Sequence, residues 1–159
     1  KGVGAVLLNA EGRVFAARRI DTPGEAWQFP QGGIDDGESP RQAVLRELVE
    51  ETGAAKAEII AESTAWFSYD LPPELRDKVW SGRYRGQEQL WFALRFLGDD
   101  GDIDLEAGGD AEFCQWKWAR LEDLPGQIVP FKRRMYERIV AEFRHLAKPV
   151  IPKVPDNDP

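Results

Sequence analysis

One stretch limits the choice of fold more than any other. Residues 89–97 read Gln-Leu-Trp-Phe-Ala-Leu-Arg-Phe-Leu. Alternate side chains of a strand point to opposite faces. Leu90, Phe92, Leu94 and Phe96 therefore share one face, with Trp91 and Ala93 on the other. A strand that is apolar on both faces has to be covered on both. The expected class is α/β, with helices packed on either side of a mixed sheet.

The rest of the chain supplies partners for that strand. Val3 to Asn9 reads as a buried strand, Glu11-Gly12 as a turn, and Val14 to Arg19 as the returning arm of a hairpin. Trp27-Gln28-Phe29 is a short strand stopped by Pro30. Gln31 to Glu38 is a polar loop carrying Gly32, Gly33 and Gly37. Ser39 then caps a helix, with Pro40 at its first position and Gln42 completing a capping box. That helix runs to Thr52 and stops at Gly53. Ala57 to Ser63, Ala65 to Tyr69 and Phe113 to Ala119 are further strands, with a turn at Leu71 to Glu74. Phe131 to Ala147 is the last helix, its apolar stripe formed by Phe131, Met135, Ile139 and Phe143. Residues 1–147 form one domain. Residues 148–159, with four prolines from Pro149 onward, form an extended and poorly ordered tail.

Composition removes several functions. No apolar run approaches the roughly 20 residues of a membrane helix. Cys114 is the single cysteine and His145 the single histidine, which excludes a disulfide framework, a Cys-rich zinc module and a His-pair metal site. No Ser-His or Cys-His arrangement for a covalent nucleophile stands out. A net charge of -7 argues against a protein that coats duplex DNA, which would be basic. A cytoplasmic domain is expected.

The capped helix carries an acidic face. On a wheel of about 100° per residue, Glu51 falls about 40° to one side of Glu47 and Glu50 about 60° to the other. Val44, Leu45, Leu48 and Val49 fill a separate arc and are expected to pack on the sheet. Like charges at this spacing repel, by a few tenths of a kcal/mol per pair. Either water solvates them or a hard cation neutralises them, and all-oxygen ligands suit magnesium or manganese.

The spacing beyond the helix is more specific. Gly32, five residues, Glu38, seven residues, then Arg46-Glu47-Leu48-Val49-Glu50-Glu51-Thr52-Gly53-Ala54 follows the pattern G-x(5)-E-x(7)-R-E-U-x-E-E-x-G-U, with U aliphatic or small. Seven fixed letters at about 7% usage each give on the order of 10^-8 per start position. The segment resembles the signature of the Nudix hydrolases. The resemblance implies an α/β/α sandwich whose loop-helix-loop holds divalent metal against a pyrophosphate. It makes Glu47, Glu50 and Glu51 metal ligands or bases, brings the Gly32 carbonyl into the metal shell, and makes Glu38 and Arg46 a supporting ion pair.

The flanks resemble one branch, the bacterial RNA pyrophosphohydrolases and dinucleoside polyphosphate hydrolases. They include Trp27 to Asp35, Tyr69-Asp70-Leu71-Pro72, Gly86 to Phe92, Glu112-Phe113, Trp116-Lys117-Trp118 and Phe131-Lys132-Arg133. The branch also has a Tyr-Arg pair just ahead of the Val3-Gly4 strand; this sequence opens at Lys1. The resemblance implies a magnesium-dependent enzyme, with manganese or another divalent cation able to substitute. Its reaction would remove pyrophosphate from triphosphorylated RNA 5' ends. The alternatives are cleavage of diadenosine tetra- or pentaphosphate with release of ATP and, more remotely, a non-catalytic nucleotide- or RNA-binding module.

The same likeness makes Glu112 a fourth ligand or the general base, and Arg19 an RNA contact. Phe131 is either a base-stacking ring or the start of the helix stripe, with Lys132 beside it for phosphate. Gln87 and Gln89 face either the polyphosphate or a sheet edge, and Tyr69 either the nucleotide or the core. Arg83 and Arg85 border a glycine-containing loop and either contact phosphates or, the preferred reading, are solvated. Trp27, Trp91, Trp116 and Trp118 are assigned to the core, Cys114 to a buried apolar position and His145 to the surface.

Overall fold

Gly2–Leu8 (β1) is buried at every position, because it lies mid-sheet between three neighbours. The computed structural model describes residues 1–21, 24–76 and 86–150. Val14–Arg19 (β2) pairs antiparallel with β1, and Gly86–Phe96 (β6) pairs parallel with it, Val3 opposite Leu90 and Leu7 opposite Leu94. Ala57–Glu62 (β4) and Phe113–Ala119 (β7) close the two ends, giving the order β4-β6-β1-β2-β7. Gln31–Gly33 (β3) adds to β1, and Phe67–Asp70 (β5) adds to β6. One parallel pair among antiparallel ones makes the sheet mixed, as expected.

Each sheet face has its own core. Helix α1, Pro40–Thr52, covers Val3, Ala5, Leu7, Phe15, Leu90, Phe92 and Leu94 with its Val44 and Leu48. Helix α3, Arg133–Phe143, covers Val6, Leu8, Val14, Ala16, Trp91 and Ala93 with Met135, Tyr136, Ile139 and Phe143. Trp91 is wholly buried and needs Gly4 beside it, since a Cβ there would lie 2.4 Å from the indole. Phe29 stacks on Tyr136 at 4.9 Å and donates its N–H to the Tyr136 hydroxyl at 3.0 Å. Helices on both faces of the sheet, as the two-faced strand required, make the α/β/α sandwich that the resemblance implies. No helix among the described residues is long and apolar enough to cross a membrane.

Several local readings are corrected. Gln31–Gly33 is a strand rather than a loop, because Gly2, Val3 and Gly4 supply its partners. Trp27-Gln28-Phe29 makes one bridge, Ala17 to Gln28. The turn near Pro72 is a single helical turn, Pro73–Arg76 (α2). The last helix starts at Arg133, after a 3-10 turn at Pro130–Lys132, and ends in another at Arg144–Leu146. Helix α1 is rolled so that Ala43, Val44, Leu48, Glu51 and Thr52 are buried, while Leu45 and Val49 are partly exposed. Cys114 is exposed, because β7 turns Phe113 inward. Trp27, Trp116 and Trp118 are only partly buried. The Val150 N–H donates to the Ala10 carbonyl at 2.8 Å. Residues 151–159, and Arg83 and Arg85 with the solvated reading given them above, lie outside the described residues.

Candidate functional site

The Ser39 side chain accepts the Gln42 N–H, and the Gln42 side chain accepts the Ser39 N–H, fixing where α1 begins. Two turns later Arg46 ties the preceding segment to the helix. Its Nε and Nη2 donate to the two Glu38 oxygens at 2.8 and 2.9 Å, and Nη2 also reaches the Gly33 carbonyl at 3.0 Å. Its Nη1 donates to Glu47 at 2.9 Å and to Glu50 at 3.2 Å. A planar guanidinium suits this work because its donors are fixed in a fork. Arg46 holds the Glu38 carboxyl down at about 2, helped by the Asp35 N–H.

Glu47 lies directly on the backbone of β3. A Cβ on Gly32 would fall 2.1 Å from the Glu47 carboxyl carbon, so only glycine permits the approach. Burial raises the Glu47 pKa, and Arg46 opposes that rise. Glu51, one turn on, is only 5% exposed. Its Oε2 accepts the Gln31 N–H at 3.1 Å. Burial and the facing Glu112 carboxyl push Glu51 up to about 10, with Glu47 adding repulsion. Glu112 is carried here by the connection into β7, its own carbonyl accepting the Ile20 N–H at 2.9 Å. Arg19, at the end of β2, approaches Glu112 at 3.9 Å and is held by both Asp21 oxygens at 2.8 and 2.9 Å.

An aromatic and amide wall faces these acids. The Tyr69 and Phe131 rings lie 5.7 Å apart, and the Lys132 Nζ sits 4.9 Å from the Tyr69 ring centre. Burial and the Arg19 charge push Lys132 down to about 8. The Tyr69 hydroxyl donates to Gln87 at 3.2 Å, and the Gln89 Nε2 donates to Gln87 at 3.0 Å and also to Gln31. Gln89 is buried, and its own Oε1 has no partner.

One cleft of about 680 Å³ gathers Arg19, Gly32, Glu47, Glu51, Tyr69, Gln87, Glu112, Phe131 and Lys132. Glu50 stays outside it, half-exposed and turned to Arg46. Glu38 and Arg46 stand behind the cleft, and Gln89 lies beneath its amide wall. Sequence reasoning did not single out Asp21, Gln28, Gln31 or Val129, which also line the cleft. Gln31 stood in the Trp27–Asp35 string, yet its use here is a backbone N–H, which any residue except proline offers.

Among the described residues, no three His, Cys, Asp or Glu side chains form a ready metal cage. The reason is local: Arg46 draws Glu47 and Glu50 toward itself. The donor set still fits a hard divalent cation. Glu51 and Glu112 face each other with Glu47 close by, and among the described residues no lysine or arginine pairs with Glu51. Two carboxylates in contact need a shared proton or a cation between them.

A protein-family comparison matches residues 1–139 to the NUDIX domain. The chain is 58% identical over 147 residues to the RNA pyrophosphohydrolase of Novosphingobium aromaticivorans, covering 91% of each chain. It is 56% identical over 149 residues to the RNA pyrophosphohydrolase of Cereibacter sphaeroides, again covering 91% of each. Among solved structures it resembles the E. coli dihydroneopterin triphosphate pyrophosphohydrolase, with a TM-score of 0.66 and 20% identity, covering 87% of this chain and 94% of that one. It also resembles a C. elegans Ap4A hydrolase, with a TM-score of 0.61 and 19% identity, covering 91% and 99%. The two structural likenesses speak for the fold.

Proposed function

This chain belongs to the Nudix family, and from that premise we propose that it is an RNA pyrophosphohydrolase of the cytoplasm, removing pyrophosphate from triphosphorylated 5' ends. The observation that carries the reading is the two-ended cleft. Acids and a glycine backbone stand at one end, and an aromatic pair with a lysine at the other. A 5'-triphosphate nucleotide has the same polarity, a polyanion joined to a flat base. The relatives named RNA pyrophosphohydrolase support the choice of substrate.

Nudix hydrolases generally use divalent metal ions, and the residues suited to hold one here are Glu47, Glu50, Glu51, Glu112 and the Gly32 carbonyl. Magnesium, or manganese in its place, supplies a lowered pKa for bound water and charge stabilisation at phosphate oxygens when bound. The chain's own residues do the rest. Glu51 and Glu112 face each other, and a carboxylate of this pair that is ionised once a cation offsets its neighbour's charge would take the proton of attacking water. Arg46 and Glu38 fix the β3 backbone against α1 and so position Glu47. Phe131 offers a face for the base, a contact worth about 1–3 kcal/mol. Lys132 and Arg19 provide positive charge for the phosphates, and Gln87 and Tyr69 provide polar contacts beside them, with Gln89 bracing Gln87.

The test compares pyrophosphate release from triphosphorylated RNA with ATP and AMP formation from diadenosine tetraphosphate, with and without magnesium. The proposal expects magnesium-dependent release from RNA at the higher kcat/KM. Faster cleavage of the dinucleotide would replace it with the dinucleoside polyphosphate reading. Binding without turnover of either substrate would leave a non-catalytic module.

A further inference from the structure

A second hollow, about 580 Å³, adjoins the cleft on the α3 side of the sheet. Ala26 and Val129 line both spaces, so the two are neighbours. Its wall is the indole of Trp27. The Lys117 Nζ lies 4.1 Å from the ring centre and the Arg18 guanidinium 5.9 Å from it. Among the described residues, neither cation is in an ion pair. Lys117 and Glu25 both border the hollow, and Arg18, near the Trp27 ring, adds a second cation beside it.

Unpartnered polar atoms mark the same place. The Arg18 Nη1 and Nη2 donate to Gln115 at 2.7 Å and to the Gly24 carbonyl at 3.2 Å, but its Nε is buried without a partner. The Oε1 of Gln127 is likewise buried and unpartnered. The Gln127 backbone carbonyl accepts the Trp27 backbone N–H at 2.8 Å, which holds the two residues side by side. Buried groups left without hydrogen bonds are destabilising, and a ligand bringing a donor would satisfy Gln127.

We propose that this hollow receives the unpaired RNA that follows the 5'-terminal nucleotides, with a base on the Trp27 face and the backbone passing Lys117 and Arg18. The inference rests on the RNA reading above. An aromatic platform beside cations is how single strands are held without strict sequence choice. Ribose 2'-hydroxyls and base amino groups are donors of the kind Gln127 lacks. The Lys117 ammonium, on a flexible stem, moves from the ring face to a phosphate as a base takes that face. A dinucleoside polyphosphate has no such downstream segment and would leave the hollow unused.

The experiment measures kcat/KM on triphosphorylated RNAs of two, three, four and six nucleotides, for wild type, Trp27→Ala, Trp27→Phe and Lys117→Gln. The readout is the ratio of the six-nucleotide to the two-nucleotide value, which a partly unfolded variant leaves unchanged. In the wild type this ratio rises with length. Trp27→Ala lowers it by about 5- to 100-fold, the worth of one stacked base. Trp27→Phe keeps most of it, and Lys117→Gln lowers it less but weakens its salt dependence. A ratio that is the same in all four proteins overturns the proposal while leaving the RNA reading intact, and assigns the hollow to some other partner such as a protein. Failure to release pyrophosphate from RNA of any length overturns the RNA reading, and this inference with it.

Discussion

Replacing Glu51 by Gln should stabilise the metal-free protein while abolishing its activity. The reason is linkage. In the folded chain the Glu51 carboxyl is raised from its ordinary 4.5 to about 10, so between those values the folded state keeps a proton that the unfolded state has released. Stability therefore falls as pH rises through that window. Below the unfolded value the group is protonated in both states and contributes no slope. Each pH unit is worth about 1.4 kcal/mol, so by pH 7 the folded state has lost roughly 3 kcal/mol to this group. Gln mimics the protonated acid, can still accept the Gln31 N–H, and has no proton to lose on unfolding. The variant should match the wild type near pH 4.5 and exceed it increasingly above. At pH 7 the gain corresponds to about 6–12 °C in Tm for a chain of this size. Thermal and urea unfolding in a chelating buffer from pH 4.5 to 9 would measure this, beside an activity assay in magnesium. A stability difference that stays constant across the range, or a variant less stable throughout, refutes the account of Glu51 as a buried acid facing other acids.

Three further outcomes are expected. Gly32→Ala puts a Cβ on top of the Glu47 carboxyl; it should cost turnover about 100-fold or more, yet only about 1–2 kcal/mol of stability, the scale of one charge-assisted bond to Arg46. Phe131→Ala should raise KM by about 5- to 100-fold with a small shift in Tm; the reverse pattern would make Phe131 a packing residue. Because Lys132 sits at about 8, its charge is present below that pH and lost above it, so kcat/KM should fall as pH rises through 8, and Lys132→Arg should remove that limb.

The sheet and its two layers were legible because β6 is apolar on both faces and α1 carries its stop and start signals in sequence. Elements that depend on a distant partner were not. Gln31–Gly33 has no periodicity of its own and is a strand only because β1 lies beside it. The wheel put the three acids on one side of α1 but could not fix the helix roll, which leaves Glu50 outside the cleft. That roll is set by Ala43 and Thr52 packing inward, and it buries Glu51 while exposing Leu45 and Val49. The motif pointed to the acids, Gly32, Glu38 and Arg46. It gave no sign of Asp21 bracing Arg19, or of Arg46 holding Glu47 and Glu50 aside, since those depend on rotamers rather than spacing.

Magnesium and manganese titrated calorimetrically into the metal-free chain, in buffers of different ionisation heat at pH 7.5, test whether Glu47, Glu51 and Glu112 hold a divalent ion. An ion that settles among Glu47, Glu51 and Glu112 has to displace the proton kept there. Saturable binding with release of about one proton is expected, and weaker binding without that release in Glu51→Gln. Binding that releases no proton and survives unchanged in Glu51→Gln would contradict this placement of the ion.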